Sequence, residues 1–215
     1  MANRSPDRHH PENVNWRYQG CETRNEKPRY RYGRMKPERI LMTRHSTLMP
    51  GQIVPMIEAK NDEGNAFALP TSGDTRMTAI FFYRGVHCPL CHKQVEELAG
   101  RQEDFKELGV EVAVISMDDE ERYGRQKAEW NFGNLPVGHD LSEASAREWG
   151  LYMSAKSKDA EPDLFAEPGI ALVLPDGRLF AFYLQNVPFA RAGLDDLLKG
   201  LTFILSRDYP IRGTA

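Results

Sequence analysis

The chain has 215 residues, 40% of them hydrophobic, with a formal net charge of −3 and three cysteines. That is enough apolar matter for one sizeable core, and too few cysteines for a fold stapled by disulfides. No window holds an apolar run long enough for a signal peptide or a membrane span, so the sequence predicts a cytoplasmic protein with no membrane partner.

Charge is unevenly spread. The first 44 residues carry eleven Lys/Arg against five Asp/Glu, and the remainder 17 against 26. Residues 1–44 therefore read as a basic, flexible tail, poor in aliphatic side chains and without apolar period, and residues 45–215 as one folded domain. Trp16, Tyr18, Tyr30 and Tyr32 alternate with Arg17, Arg29 and Arg31. This is a weak form of a nucleic-acid signal, so a solvated or subunit-wrapping arm is expected instead of a nucleic-acid partner. Cys21 in this tail reads as an incidental exposed thiol.

After the tail, "LMPGQIVPMIEAKNDEGNAFAL" has short apolar alternations around Asn61-Asp62-Glu63-Gly64-Asn65 and predicts a β-hairpin with a Gly-containing turn. "MTAIFFY" (Met77 to Tyr83) is a continuous apolar run of strand length, the pattern of a strand buried on both faces. Cys91, Val95, Leu98, Gln102 and Phe105 then recur at helical spacing up to Leu108-Gly109, with Pro89 in the first turn. "VEVAVISM" (Val110 to Met117) is a second buried strand, which makes a βαβ unit with a parallel crossover.

Further on, helices are predicted from about Asp119 to Trp130 and from Ser142 to Trp149. "GIALVL" and "RLFAFYL" form a hairpin over Pro175-Asp176-Gly177, and a last amphipathic helix carries Leu194, Leu197, Leu198, Leu201, Ile204 and Leu205. Trp130, Trp149, Phe182 and Phe189 sit on apolar patterns and are expected in the core or an interface. The fold class is α/β.

The chemistry is concentrated in "YRGVHCPLCHKQ", Tyr83 to Gln94. As a bare string, C-x-x-C followed by His fits haem attachment, half a zinc site or a dithiol redox pair. A structural zinc needs a second ligand pair, and none exists: His9, His10 and His45 lie in or beside the tail, His139 stands alone, and His87 and His92 flank the cysteines in no common finger spacing. Haem attachment belongs to exported chains, which this one does not resemble. No metal and no cofactor are expected.

The redox reading has a direct warrant, because a thiol at a helix N-terminus faces unpaired N–H groups and the positive end of the helix dipole, which lowers its pKa. Cys88 is the expected nucleophile. Cys91, three residues on, can attack a mixed disulfide formed at Cys88 and close an intramolecular disulfide.

These segments together resemble the thioredoxin superfamily, and within it the peroxiredoxin-like alkyl hydroperoxide reductase / thiol-specific antioxidant (redoxin) family, over roughly Leu48 to Pro210. "PGQIVPMIEAKNDEGNAFAL" resembles the redoxin entry hairpin, "AIFFYRGVHCPLC" the strand and active-site loop, "VEVAVISMDDEE" the following strand and acidic turn, and "EPGIALVLPDGRLF" the cis-proline segment. The resemblance implies a thioredoxin-like fold, a central mixed β-sheet flanked by helices with an N-terminal hairpin extension. It also implies that Pro168 follows a cis peptide bond and lies against the cysteines, and it leaves room for a homodimer.

Departures from the family shape the functional expectation. Gly85 stands where peroxiredoxins carry the peroxide-binding Thr, and Phe81 replaces the proline that opens that motif. Pro168 stands where they carry an Arg, and Phe82 where thioredoxins bury an acid.

Arg84 is the candidate electrostatic substitute for that Arg. Glu167 is the candidate acid/base beside the dithiol. His87 would support the Cys88 thiolate if protonated, or take a thiol proton if neutral.

The expected activity is dithiol/disulfide exchange with protein or small-molecule thiols and disulfides, Cys88 attacking and Cys91 resolving. The alternatives are a thiol peroxidase that reduces hydroperoxides through a Cys88 sulfenic acid, and a non-catalytic thioredoxin-fold interaction module.

Overall fold

A computed structural model of the chain describes residues 48–70 and 73–214. The basic leader and Cys21, with the readings that fall on them, lie outside the described residues.

Strand β1 (Met77–Phe82) is buried at every position. Its alternation is divided between two cores, as the pleat requires. Met77, Ala79, Phe81 and Tyr83 face one layer, and Ile80 and Phe82 the other.

From β1 the chain passes through a short loop into α1 (Pro89–Gly100) and α2 (Gln102–Glu107), then into β2 (Val110–Ile115), which pairs with β1 in parallel from Met77/Val110 to Phe82/Ile115. The expected βαβ unit is present. Its helix is not one rod as the apolar spacing predicts: it breaks at Arg101 (φ −112°, ψ 7°). There Gly100 weakens the helix, and the Arg101 guanidinium is drawn to Asp104 and to Asp195.

Helices α3 (Glu120–Glu129) and α4 (Glu143–Glu148) follow, capped by the side chains of Asp119 and Ser142, with the two-residue β3 (Val137–Gly138) between them extending the sheet beside β2. Strands β4 (Met153–Ala155) and β5 (Leu164–Ala166) form a separate antiparallel pair that the sequence pattern does not announce. Strands β6 (Gly169–Val173) and β7 (Leu179–Leu184) make the expected hairpin, and α5 (Leu194–Ser206) closes the described fold. The five-stranded mixed sheet has the order β3-β2-β1-β6-β7.

On one face α1, α2 and α5 contribute Cys91, Val95, Leu98, Phe105, Leu194, Leu197 and Leu201, and on the other Trp149, Leu151 and Phe67 pack against Phe82. Trp130 and Trp149 are core residues, whereas Phe189 is 61% exposed and so is not part of the core.

The entry hairpin closes over Asn61–Asn65, with Phe67 N–H donating to Ala59. It amounts to one bridge, Lys60 to Ala66, because Lys60 also bridges His139 while Ile53 bridges Arg178. The segment is held by the body of the domain more than by itself.

Candidate active site

Cys88 is the N-cap of α1, with Pro89 taking the first turn, where a missing N–H costs nothing. Its Sγ acts as a capping oxygen does elsewhere, accepting the Cys91 N–H at 3.3 Å, and it also accepts the Cys91 thiol at 2.6 Å. Both cysteines are free and buried, Cys88 2% exposed and Cys91 0%.

The Cys91 thiol donating to Cys88, followed by the backbone N–H and the Arg191 and Arg84 guanidiniums, outweighs burial and brings the Cys88 pKa down to about 6. Burial and the neighbouring Cys88 charge push the Cys91 thiol well above its usual range. One thiol is thus an anion at neutral pH and the other its proton donor.

Arg191 is the residue that sequence reasoning missed. Its Nη2 lies 3.0 Å from Cys91 Sγ and 3.7 Å from Cys88 Sγ, and its Nη1 donates to Gln94 Oε1 at 2.5 Å, one helical turn beyond Cys91. The loop before α5 presents it, bent at Ala190 (φ 59°) and tied by Gln185 Nε2 to the Ala190 carbonyl. Nothing in "NVPFARAGLDD" marks it, since the contact spans a hundred residues.

Pro168 lines a small cavity with Gln94 and Arg191, which puts it next to the cation that touches the dithiol. Among the described residues no peptide bond is cis, so the expected cis bond before Pro168 is wrong. Both sides of that step are pinned, Glu167 N–H to the Tyr152 carbonyl and the Pro168 carbonyl to Gln185 N–H, and the chain runs on from β5 into β6. Pro168 thus lacks the cis geometry that the resemblance to the cis-proline segment implies.

Arg84 is no solvated loop cation. It lies over the Phe165 ring (4.6 Å to the centroid), 3.3 Å from Glu161 and 3.4 Å from Glu167, with its side chain 15% exposed. Two carboxylates engage it, and it still helps to lower the Cys88 pKa. Glu167 accepts the Ser154 hydroxyl at 2.6 Å. No hydrogen bond joins Glu167 to either thiol among the described residues, so the structure does not bring this candidate acid/base onto the dithiol.

His87 Nδ1 faces Arg122 Nη2 at 3.3 Å, which makes it the acceptor, and the ring meets Phe165 edge-on. Burial pushes its pKa down to about 4. His87 is therefore neutral at pH 7, and the role of a protonated support for the thiolate falls away. His92 stacks on Trp130 and lies 3.0 Å from Glu96, pointing along the helix surface. Among the described residues no group of three or more His, Cys, Asp or Glu is placed to hold a metal ion.

Beneath the loop from β1 to α1 lies Asp118, also unmarked in the sequence reading. Its buried carboxylate accepts Val86 N–H at 2.6 Å and the Arg122 Nε–H at 3.0 Å, and it also accepts from Gln126, which in turn takes the Tyr83 hydroxyl. The loop that delivers Cys88 is thus strapped to β2 and α3.

A mixed five-stranded sheet flanked by helices, with a thiolate capping the helix that follows its central strand, defines a thioredoxin-like fold of the peroxiredoxin type. Solved structures share it. A Cys-to-Ser mutant of peroxiredoxin 6 from Arenicola marina matches with a TM-score of 0.59 at 15% identity, covering 72% of each chain. A peroxiredoxin-like protein from Aquifex aeolicus matches with 0.59 at 14% identity over 74% of this chain and 88% of that one. The reduced 2-Cys peroxiredoxin of Plasmodium vivax matches with 0.58 at 15% identity over 74% and 83%.

Residues 50–181 match the model of the AhpC/TSA family, and the chain belongs to that family. No relative is found among curated protein sequences. As a family member the protein is a thiol peroxidase or thiol oxidoreductase.

Proposed function

We propose that the protein is a dithiol/disulfide oxidoreductase in which Cys88 attacks and Cys91 resolves. The observation that carries this reading is the pair itself: a low-pKa thiolate capping α1 and, one turn on, a thiol 2.6 Å away. In the first step the Cys88 thiolate attacks a substrate disulfide, forming a Cys88 mixed disulfide and releasing one thiolate, which takes a proton from solvent. In the second, Cys91 attacks Cys88 Sγ, the intramolecular disulfide forms and the second substrate thiol leaves. The enzyme dithiol loses the two electrons that the substrate gains.

The partners are protein or small-molecule thiols and disulfides, in a cytoplasmic setting. Leu90, 44% exposed between the two cysteines, and Phe189 line a groove of about 260 Å³ with Lys93 and Arg191, which suits a partner bulkier than hydrogen peroxide.

A second reading, thiol peroxidase, gains from Arg191, a guanidinium within reach of both sulphurs that can serve where the family's own Arg is absent. In it peroxide oxidises Cys88 to a sulfenic acid and Cys91 condenses with it, releasing water. The hydroxyl of the family motif is still missing at Gly85. A lost transition-state donor costs on the order of 10²–10³ in rate.

Stopped-flow oxidation by hydrogen peroxide, set beside turnover of a protein disulfide, separates the two readings. Exchange abolished by Cys88→Ser and by Cys91→Ser, with slow peroxide oxidation, is the expected result. Peroxide oxidation close to the diffusion range, retained in Cys91→Ser, would put the peroxidase first.

A further inference from the structure

Arg191 touches both sulphurs but favours the wrong one for a simple stabiliser of the nucleophile. Its Nη2 is 3.0 Å from Cys91 Sγ and 3.7 Å from Cys88 Sγ. In the reduced state the Cys88 anion has other support, since its Sγ accepts both the Cys91 thiol and the Cys91 N–H.

The difficulty arises in the second half-reaction. Once Cys88 is in a mixed disulfide its sulphur is neutral, and Cys91, with no exposed surface, must become the anion in a buried place. An uncompensated charge there is costly. Among the described residues Arg191 is the charged side chain that hydrogen-bonds Cys91 Sγ, and Gln94 holds the other arm of its guanidinium.

We propose that Arg191 is a catalytic residue of the resolving half-reaction, bearing the negative charge on Cys91 Sγ as that sulphur attacks Cys88. This rests on the reading of Cys91 as the resolving thiol. In the step, the Sγ–Sγ bond forms, the bond from Cys88 Sγ to the substrate sulphur breaks, and the electron pair leaves on that sulphur. The proton given up by Cys91 passes through water to the departing thiolate. Arg191 keeps its proton throughout and acts by charge, fixed in advance on the sulphur where charge develops.

The test uses the full-length chain with Cys21→Ser and excess dipyridyl disulfide, an uncharged reagent whose released thiopyridone is read by stopped flow. The first equivalent reports the mixed disulfide on Cys88 and the second the attack by Cys91, with mass spectrometry checking that the product is the intramolecular disulfide. Arg191→Met should slow the second phase by roughly 10²–10³. The first phase should slow by no more than about tenfold, because a less acidic Cys88 thiolate is also more nucleophilic.

Arg191→Lys should recover part of the second phase. Gln94→Leu should slow the same phase and stands in if Arg191→Met does not fold. Equal slowing of both phases, slowing of the first alone, or an unchanged second phase in Arg191→Met overturns the proposal. A parent chain that releases the first equivalent and never the second instead removes Cys91 as the resolving thiol, a failure visible before any Arg191 variant is made.

Discussion

Gly85 rests on the carboxylate of Asp118. A Cβ at position 85 would lie 2.5 Å from Asp118 Cγ, and the backbone there has φ +118°, a conformation open in practice to glycine alone. The residue that replaces the peroxiredoxin Thr is therefore not a neutral loss. The site is built around the absence of a side chain, with Asp118 filling the space and holding Val86 N–H.

Gly85→Thr, which would restore the hydroxyl of the family motif, is accordingly expected to destabilise the fold by at least about 1–3 kcal/mol from backbone strain, with displacement of Asp118 in addition. Urea unfolding measures this. Peroxide oxidation of Cys88 should not accelerate; a faster, stably folded Gly85→Thr protein would mean that the loop accommodates the motif after all.

The thiol pair predicts a pH profile. Cys88, lowered from an ordinary 9.0 to about 6, releases its proton in the folded state at a pH where the unfolded chain still holds it. Folding stability should rise with pH between about 6 and 9. Above 9 it should fall, because Cys91 stays protonated when folded and ionises when unfolded. His87, lowered from 6.5 to about 4, takes up a proton in the unfolded chain first, so stability drops further as pH falls through that window. Alkylation of Cys88 by iodoacetamide should be half-maximal near pH 6. Cys88→Ser should flatten the rise between 6 and 9, and its persistence in that variant would assign the linkage to another group.

Arg84 holds a buried carboxylate in place. Arg84→Met would leave Glu167, with its side chain 5% exposed, hydrogen-bonded to Ser154 but without a counter-charge, a loss of roughly 3 kcal/mol for a broken buried pair. The paired change Arg84→Met with Glu167→Gln should restore part of it, because Glu161, the other carboxylate on Arg84, keeps its charge. The Cys88 pKa should rise in Arg84→Met, and by less than in Arg191→Met, since Arg191 is the stronger of the two cationic influences. Additive effects of the two single changes in a double-mutant cycle would show that the pair is not coupled.

Leu90 and Phe189 offer apolar surface beside the dithiol. Replacing both by Ser should reduce kcat/KM for a protein disulfide by roughly tenfold, with little change for a small uncharged disulfide. Equal effects on the two substrates would locate the loss in the chemistry and not in docking.

Local pattern was enough for much of this protein. A buried run of strand length followed by Cys-Pro-Leu-Cys and a helical period specifies the βαβ unit and the N-cap position of Cys88, because strand burial, proline at a helix start and capping are properties of neighbouring residues. The hairpin over Pro175-Asp176-Gly177 and the apolar face of α5 follow in the same way.

What only the tertiary structure decided are the contacts that cross the chain. Arg191 reaches the sulphurs from a hundred residues away, Asp118 fills the space under Gly85, and Glu167 is bound to Arg84 and Ser154 instead of the dithiol. The Glu167–Pro168 bond is trans, its two sides tied to Tyr152 and Gln185. Each depends on which side chain the packed sheet and loops deliver to a shared point, and on how burial weights charge there. Neither has a period or a spacing to be read along the sequence.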